Sequence, residues 1–315
     1  MNSAGLLTVR GQCSAGELKQ LVVDLQRPAL TRLFIGQPPV QVAKTIPHLY
    51  SLCAEAQGAV ARAALRAAGA DLALAANDQR LWIEFLHENL WRLLLDWPPA
   101  LGVAPEKAAF VAWRAARHGS SVAVETGNLY DQVLLPLAEK CLKTLVHRAP
   151  QEAPLGCSIQ EVPLGDSIQA VSPVFNPADW LAFWRNSAAS PPPGLPPVSV
   201  SAAYQARLNA VAEAVEALRD GYVYPLLAAG EGGLGVAQIR TARGVLTHAA
   251  ALAGGVVSRY QVWAPTDVFF QNETALSALL AGQTWGNLDQ MRQGLNQAIL
   301  ALDPCLPYVM ELNDA

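Results

Sequence analysis

TARGVLTHAAALAGGVVSRYQVWAPTDVFFQN, Thr241 to Asn272, is the stretch on which the fold turns. Its apolar run from Val245 to Val257 falls short of the roughly 18 residues a membrane span needs. It is also interrupted by His248 and by Gly254-Gly255. The glycine pair marks a turn, and β-branched residues alternate after it from Val256 to Trp263, the two-residue period of a strand. Leu234 to Ile239 reads as β-like too. A small sheet is therefore expected late in a chain whose remainder has a different rhythm.

Outward from this stretch the periodicity is helical. Gly16–Phe34 and Gln41–Ala68 carry apolar residues at three- and four-residue spacing, with Pro38-Pro39 between them. Asp78–Trp97 reads as a helix with an apolar face of Trp82, Phe85, Leu86, Leu90, Leu93 and Leu94, stopped by Pro98-Pro99. Leu129–His147 and Ala202–Arg219 read as helices, and Asn272–Leu302 as helices broken around Gly282 and Gly286. The middle differs. PLGCSIQEV (Pro154–Val162) is nearly repeated as PLGDSIQAV (Pro163–Val171), and Asn186–Val200 is Ser/Pro-rich. Residues 150–200 are expected to form an irregular excursion and surface loop within a single domain spanning 1–315.

The 315 residues are 52% hydrophobic and only 15% charged, which favours a large buried core over disorder. A net charge of −4 with mixed signs argues against a nucleic-acid-binding surface. Met1–Leu21 lacks the basic start and apolar run of a signal peptide, so a cytoplasmic location is expected. The five cysteines, Cys13, Cys53, Cys141, Cys157 and Cys305, are widely spaced and form no C-x-x-C pair. Buried or free thiols are the default there, and no closed zinc site follows from the spacing.

Four segments, in order, resemble the nickel–iron hydrogenase large subunit. RPALTRLFIGQPPVQVAKTIPHLYSLCAEAQ (Arg27–Gln57) is similar to that family's R-G-x-E helix and the R-I-C-G-x-C-x-x-x-H motif after it. ENLWRLLLDWPP (Glu88–Pro99) resembles the next helix. The Thr241–Asn272 stretch resembles the A-P-R-G-x-x-x-H segment, its hairpin and the V-P-[ST] segment, and LDPCLPY (Leu302–Tyr308) resembles the terminal D-P-C-x-x-C. The fold this implies is mainly α with a small antiparallel β-sheet near 234–263, in which Cys53 and Cys305 come together.

The departures from the pattern carry the functional expectation. In the family four thiolates hold the metals; here Tyr50 and Tyr308 stand at two of those positions, and Cys53 and Cys305 at the others. Gln57 replaces the motif's histidine, and Leu30 the proton-relaying acid. Two thiolates do not make a nickel site, and leucine moves no proton, so neither nickel nor hydrogen turnover is expected. The iron-facing side is retained as Arg243, Pro265 and Thr266, whose family counterparts surround iron's cyanide and carbonyl ligands. The chain thus resembles the non-enzymatic maturation proteins of the HupK/HoxV type. That resemblance implies a scaffold carrying an iron dicyano-carbonyl unit on Cys53 and Cys305, with hydrogenase accessory proteins and the large-subunit precursor as partners. A pure assembly chaperone without metal is the alternative. From the residues alone, Cys53 also reads as a core thiol, Arg243 as a solvated strand arginine, and His248 as a packed, hydrogen-bonded residue.

Overall fold

The structure, a computed structural model, describes residues 5–73, 77–147, 175–186 and 196–314. The near-repeat at 154–171 and residues 187–195 of the Ser/Pro-rich stretch lie outside them, and so does most of the excursion expected at 150–200.

The chain opens with a hairpin of β1 (Leu6–Ser14) and β2 (Glu17–Gln26), where the sequence periodicity points to a helix starting at Gly16. Leu18, Leu21, Val22 and Leu25 have helical spacing, but a bulge produces it. Arg10 pairs with Val22 and Gln12 with Lys19, so Gln20 and Leu21 together oppose Gly11, and Gln20 takes a φ of 49°. The extra residue shifts the alternation by one place. Leu18 on one side of the bulge and Leu21, Val23 and Leu25 on the other therefore reach the same core. Ala15 and Gly16, both at positive φ, close the two-residue turn.

A 3-10 turn at Leu30–Phe34 leads to α1 (Pro39–Leu49), a second 3-10 turn at Ser51–Cys53 and α2 (Ala54–Ala67). The helix expected over Gln41–Ala68 is thus two helices. Pro47 cannot donate an N–H inside α1, and its ring packs on Gly58 of α2, where a Cβ would come within 2.9 Å of it. Next, α3 (Asp78–Trp91) runs through a π turn at Arg92–Asp96 into α4 (Trp97–Ala100). The prolines expected to stop this helix lie inside its last turn. Pro98 has no N–H for the Leu94 carbonyl, which accepts instead from Glu106 N–H at 3.0 Å.

The chain continues through α5 (Lys107–Ala116), α6 (Val122–Leu129), a π turn at Tyr130–Leu134, α7 (Leu135–His147), α8 (Pro177–Arg185) and α9 (Val200–Asp220). The expected sheet follows as β3 (Leu226–Glu231), β4 (Leu234–Thr241), β5 (Gly244–Ala253) and β6 (Val256–Trp263), an antiparallel meander that starts one strand earlier than the alternation indicates. Then come α10 (Pro265–Phe269), α11 (Thr274–Leu280), α12 (Leu288–Leu302) and β7 (Tyr308–Asp314). β7 lies parallel to β1, giving a second sheet of order β2-β1-β7 that the sequence reading lacks.

Alanines on α2 and glycines on the meander let helix and sheet approach closely. A Cβ on Gly235 would sit 2.1 Å from the Ala64 carbonyl oxygen, and one on Gly230 1.8 Å from that of Ala67. The main core gathers α2, α3 and α9 with α5–α7 and the meander, burying Trp97 and Tyr204 edge to face. A second core lies between the β1-β2-β7 sheet and α11–α12. Among the described residues no helix is long and apolar enough to cross a membrane.

Candidate functional site

Cys53 stands at the N-cap of α2, not on a helix face. No side chain of its own turn caps that helix. The carboxylate of Glu84, from α3, does so by accepting the N–H groups of Glu55 at 2.7 Å and Ala56 at 2.9 Å. Burial pushes the Glu84 carboxyl up to about 7, against those two donors, with Glu55 and Glu88 adding to the rise. Burial likewise pushes the Cys53 thiol up to about 12, assisted by the charges of Glu84 and Cys305. Arg243 and a hydrogen bond from Gln57 Nε2, 3.6 Å from the sulfur, pull the other way.

Cys305 arrives from the far end of the chain. α12 ends at Asp303, which takes a φ of 48° and turns the backbone through Pro304 into the Cys305 loop. The Cys305 sulfur accepts from Arg27 Nη2 at 3.0 Å and from Thr266 Oγ1 at 3.2 Å. Its own N–H donates back to Thr266 Oγ1 at 3.1 Å. Arg27 Nε lies 2.7 Å from Asp267 Oδ1, and Asp267 Oδ2 accepts the Ala264 N–H at the start of α10. Thr266 is fully buried, and Pro265 packs against Gly244, where a Cβ would meet its ring at 3.3 Å.

Arg243, in the β4–β5 turn, is an interior arginine. Its Nη2 donates to Glu88 Oε2 at 2.8 Å, and its Nε lies 3.6 Å from Asp303 Oδ1 without a hydrogen-bond partner. Burial works against its charge, but Asp303 and Glu88 hold it above the usual arginine range. Asp303 is the hub. Its Oδ1 takes Arg92 Nε at 2.7 Å and its Oδ2 takes Arg207 Nη2 at 2.7 Å. Burial would raise its pKa, yet Arg243, Arg207 and Arg92 hold it well below the usual carboxylate range. Arg92 also pairs with Asp96 and donates to the Pro304 carbonyl, so the π turn of Arg92–Asp96 is tied to the cysteine loop.

The two tyrosines that the sequence resemblance sets at cysteine positions differ. Burial pushes Tyr50 up to about 12, with Arg27 opposing and Asp267, Cys53 and Cys305 contributing, so this phenol shares the thiols' surroundings. Tyr308 donates to Asn296 Oδ1 at 2.6 Å, packs in the terminal core, and neither thiol is among the groups that perturb it.

The structure thus brings Cys53, Cys305, Arg243 and Thr266 into one neighbourhood. There Thr266 spends its hydroxyl donor on Cys305 and Arg243 its Nη2 donor on Glu88, while Arg243 Nε has no hydrogen-bond partner among the described residues. Among the described residues no three His, Cys, Asp or Glu side chains are arranged to hold a metal. Sequence reasoning missed Arg27, Glu84, Asp267 and Asp303 as members of this site. Arg27 heads the first resembling segment and Asp303 is the aspartate of D-P-C, so both had a signal; Glu84 and Asp267 had none beyond acidity within apolar surroundings.

The chain matches no family model. Its fold resembles that of the nickel–iron–selenium hydrogenase of Desulfovibrio vulgaris Hildenborough, with a TM-score of 0.61 and 12% identity over 93% of this chain and 94% of that one. The enzyme of Desulfomicrobium baculatum aligns with a TM-score of 0.55 at 11% identity, over 94% and 95% of the two chains. Likeness in sequence is stronger elsewhere. The hydrogenase expression/formation protein HupV of Azotobacter chroococcum is 31% identical, over 98% of this chain and 99% of its own. HupK of Azotobacter vinelandii is 29% identical over the same shares, and HoxV of Cupriavidus necator 26% over 92% of each. On a hydrogenase large-subunit fold, the chain belongs to the HupV/HupK/HoxV family of hydrogenase expression/formation proteins.

Proposed function

We propose that the protein is a hydrogenase maturation scaffold that transiently holds an iron dicyano-carbonyl unit on Cys53 and Cys305 and delivers it to the hydrogenase large subunit. The observation that carries this reading is the support given to two thiols from opposite ends of the chain. Cys305 receives a guanidinium and a hydroxyl donor, Cys53 a carboxamide donor, and both lie in the field of Arg243. Donors on sulfur stabilise thiolates, the form that binds metal, while drawing electron density from the metal–sulfur bond. A carrier needs that compromise. Thiolates are soft ligands suited to iron, and two of them without nickel hold less firmly than four. The protein is on this reading not an enzyme, and its partners are the hydrogenase accessory proteins and the large-subunit precursor.

One observation favours a second reading, an assembly chaperone that never touches iron. Arg243 and Thr266 have protein partners already, as a shape mimic requires. Infrared spectra of anaerobically purified protein separate the two. Carrier function requires cyanide and carbonyl stretches in the wild type, their loss in Cys53→Ser and Cys305→Ser, and slowed hydrogenase maturation in cells bearing either variant. Normal maturation in both variants leaves the chaperone reading in place.

A further inference from the structure

Gln57 follows Cys53 by four positions, one turn along α2, so its side chain lies over the helix end that carries the sulfur. Beneath α2, His248 of β5 and Tyr260 of β6 are diagonal neighbours, since His248 pairs with Val262 and Ala250 with Tyr260. All three are buried, at 3%, 0% and 4% exposure. They form an unbranched chain to the sulfur. Tyr260 Oη lies 2.8 Å from His248 Nδ1, His248 Nε2 lies 2.9 Å from Gln57 Oε1, and Gln57 Nε2 lies 3.6 Å from Cys53 Sγ.

One arrangement of protons leaves only the weakest donor, the Cys53 S–H, without an acceptor. A carboxamide oxygen accepts and never donates, so His248 carries its proton on Nε2, leaving Nδ1 to accept the Tyr260 hydroxyl. Burial keeps this imidazole neutral, its pKa down to about 3, which removes the doubly protonated form. With the carboxamide reversed, its NH2 would face His248 and force the imidazole proton onto Nδ1, where it would donate to the Tyr260 oxygen. The Tyr260 hydroxyl proton would then be buried without an acceptor, because Tyr260 Oη has no other side-chain hydrogen bond among the described residues.

We infer that Tyr260 and His248 are positioning residues that fix the Gln57 carboxamide as a hydrogen-bond donor to the Cys53 sulfur. The sulfur is thereby presented as an acceptor, the state suited to a thiolate or a metal-bound sulfur, and its S–H is denied the carboxamide oxygen. The purpose of this arrangement rests on the carrier reading above; its geometry does not.

The test uses metal-free, full-length protein, so it stands apart from the search for cyanide and carbonyl bands. The S–H stretch of Cys53, assigned by subtraction of Cys53→Ser, should lie at the position of a thiol that donates no hydrogen bond and should stay there in Gln57→Leu. Tyr260→Phe removes the hydroxyl that forbids the reversed carboxamide, and the band should then shift to lower wavenumber. A wild-type band already low that rises in Gln57→Leu would overturn the inference, and so would an unchanged band in Tyr260→Phe. Imidazole 15N shifts of the unmutated protein check the same point without a variant. They should show His248 protonated on Nε2 and bare on Nδ1; the opposite tautomer would refute the assignment.

Discussion

Asp303→Asn removes one charge and turns one of two accepting oxygens into a donor. Asparagine has the same shape and tolerates the left-handed φ of 48°, and the N–H that caps α12 on the Ile299 carbonyl is retained. What changes is the balance among three cations. Arg243 keeps Glu88, and Arg92 keeps Asp96 and the Pro304 carbonyl. Arg207, with a side chain only 8% exposed, keeps the neutral Asn89 Oδ1 at 2.9 Å and loses its anion. An uncompensated buried charge costs about 3–5 kcal/mol, a large share of the roughly 5–15 kcal/mol that stabilises a typical protein. Urea unfolding at pH 7 should show that loss, and adding Arg207→Met to Asp303→Asn should recover part of it, because the stranded cation is then gone. Asp303 has a folded-state pKa below its unfolded value of about 3.9, so its contribution is fully present above that value and is lost only as pH falls through the folded one. The gap between wild type and variant should therefore be constant from pH 8 to pH 5 and close only in strong acid. A loss under about 1 kcal/mol, or two substitutions that simply add, would refute the reasoning.

Glu84→Gln should flatten the pH dependence of stability. The folded pKa of about 7 lies above the ordinary glutamate value of 4.5, so the wild type loses stability as pH rises between them. After allowance for partial exposure, melting curves should place the variant on the order of 1–3 kcal/mol ahead at pH 8 relative to pH 5. Gly235→Ala drives a methyl to 2.1 Å from the Ala64 carbonyl and should cost about 3 kcal/mol or more, seen as a lowered melting temperature or loss of soluble protein. Tyr308→Phe should cost about 1 kcal/mol for its bond to Asn296 and leave any cyanide and carbonyl bands unmoved. Tyr50→Phe, beside the thiols, should shift them.

The site's extremes were legible in the sequence because A-R-G and D-P-C resemble family motifs; the structure sets the first at a strand turn and the second at a helix end. The late sheet announced itself through Gly254-Gly255 and the alternation after them. β2 did not, because a one-residue bulge at Gln20 turned a strand's period into a helix's. The helical period of Gln41–Ala68 runs through Cys53 because nothing local shows that α1 and α2 part at Tyr50; the Glu84 cap that starts α2 comes from another helix. The hub at Asp303 was hidden for the same kind of reason. Its arginines lie in the Arg92–Asp96 π turn, on α9 and in the β4–β5 turn, and only the folded chain says which carboxylate they share.

The parallel pairing of β7 with β1 has a consequence in time. It joins Leu7 to Tyr308 and closes a loop of nearly the whole chain, a contact of the greatest sequence separation and therefore of slow formation. At about 5–20 residues per second a ribosome needs tens of seconds to proceed from Cys53 to Cys305. Through that interval the Cys53 thiol exists without the second sulfur and without Asp303, the carboxylate that its three arginines share. The two-thiol site forms late, and a nascent chain meets its surroundings with one of the site's cysteines before it has both.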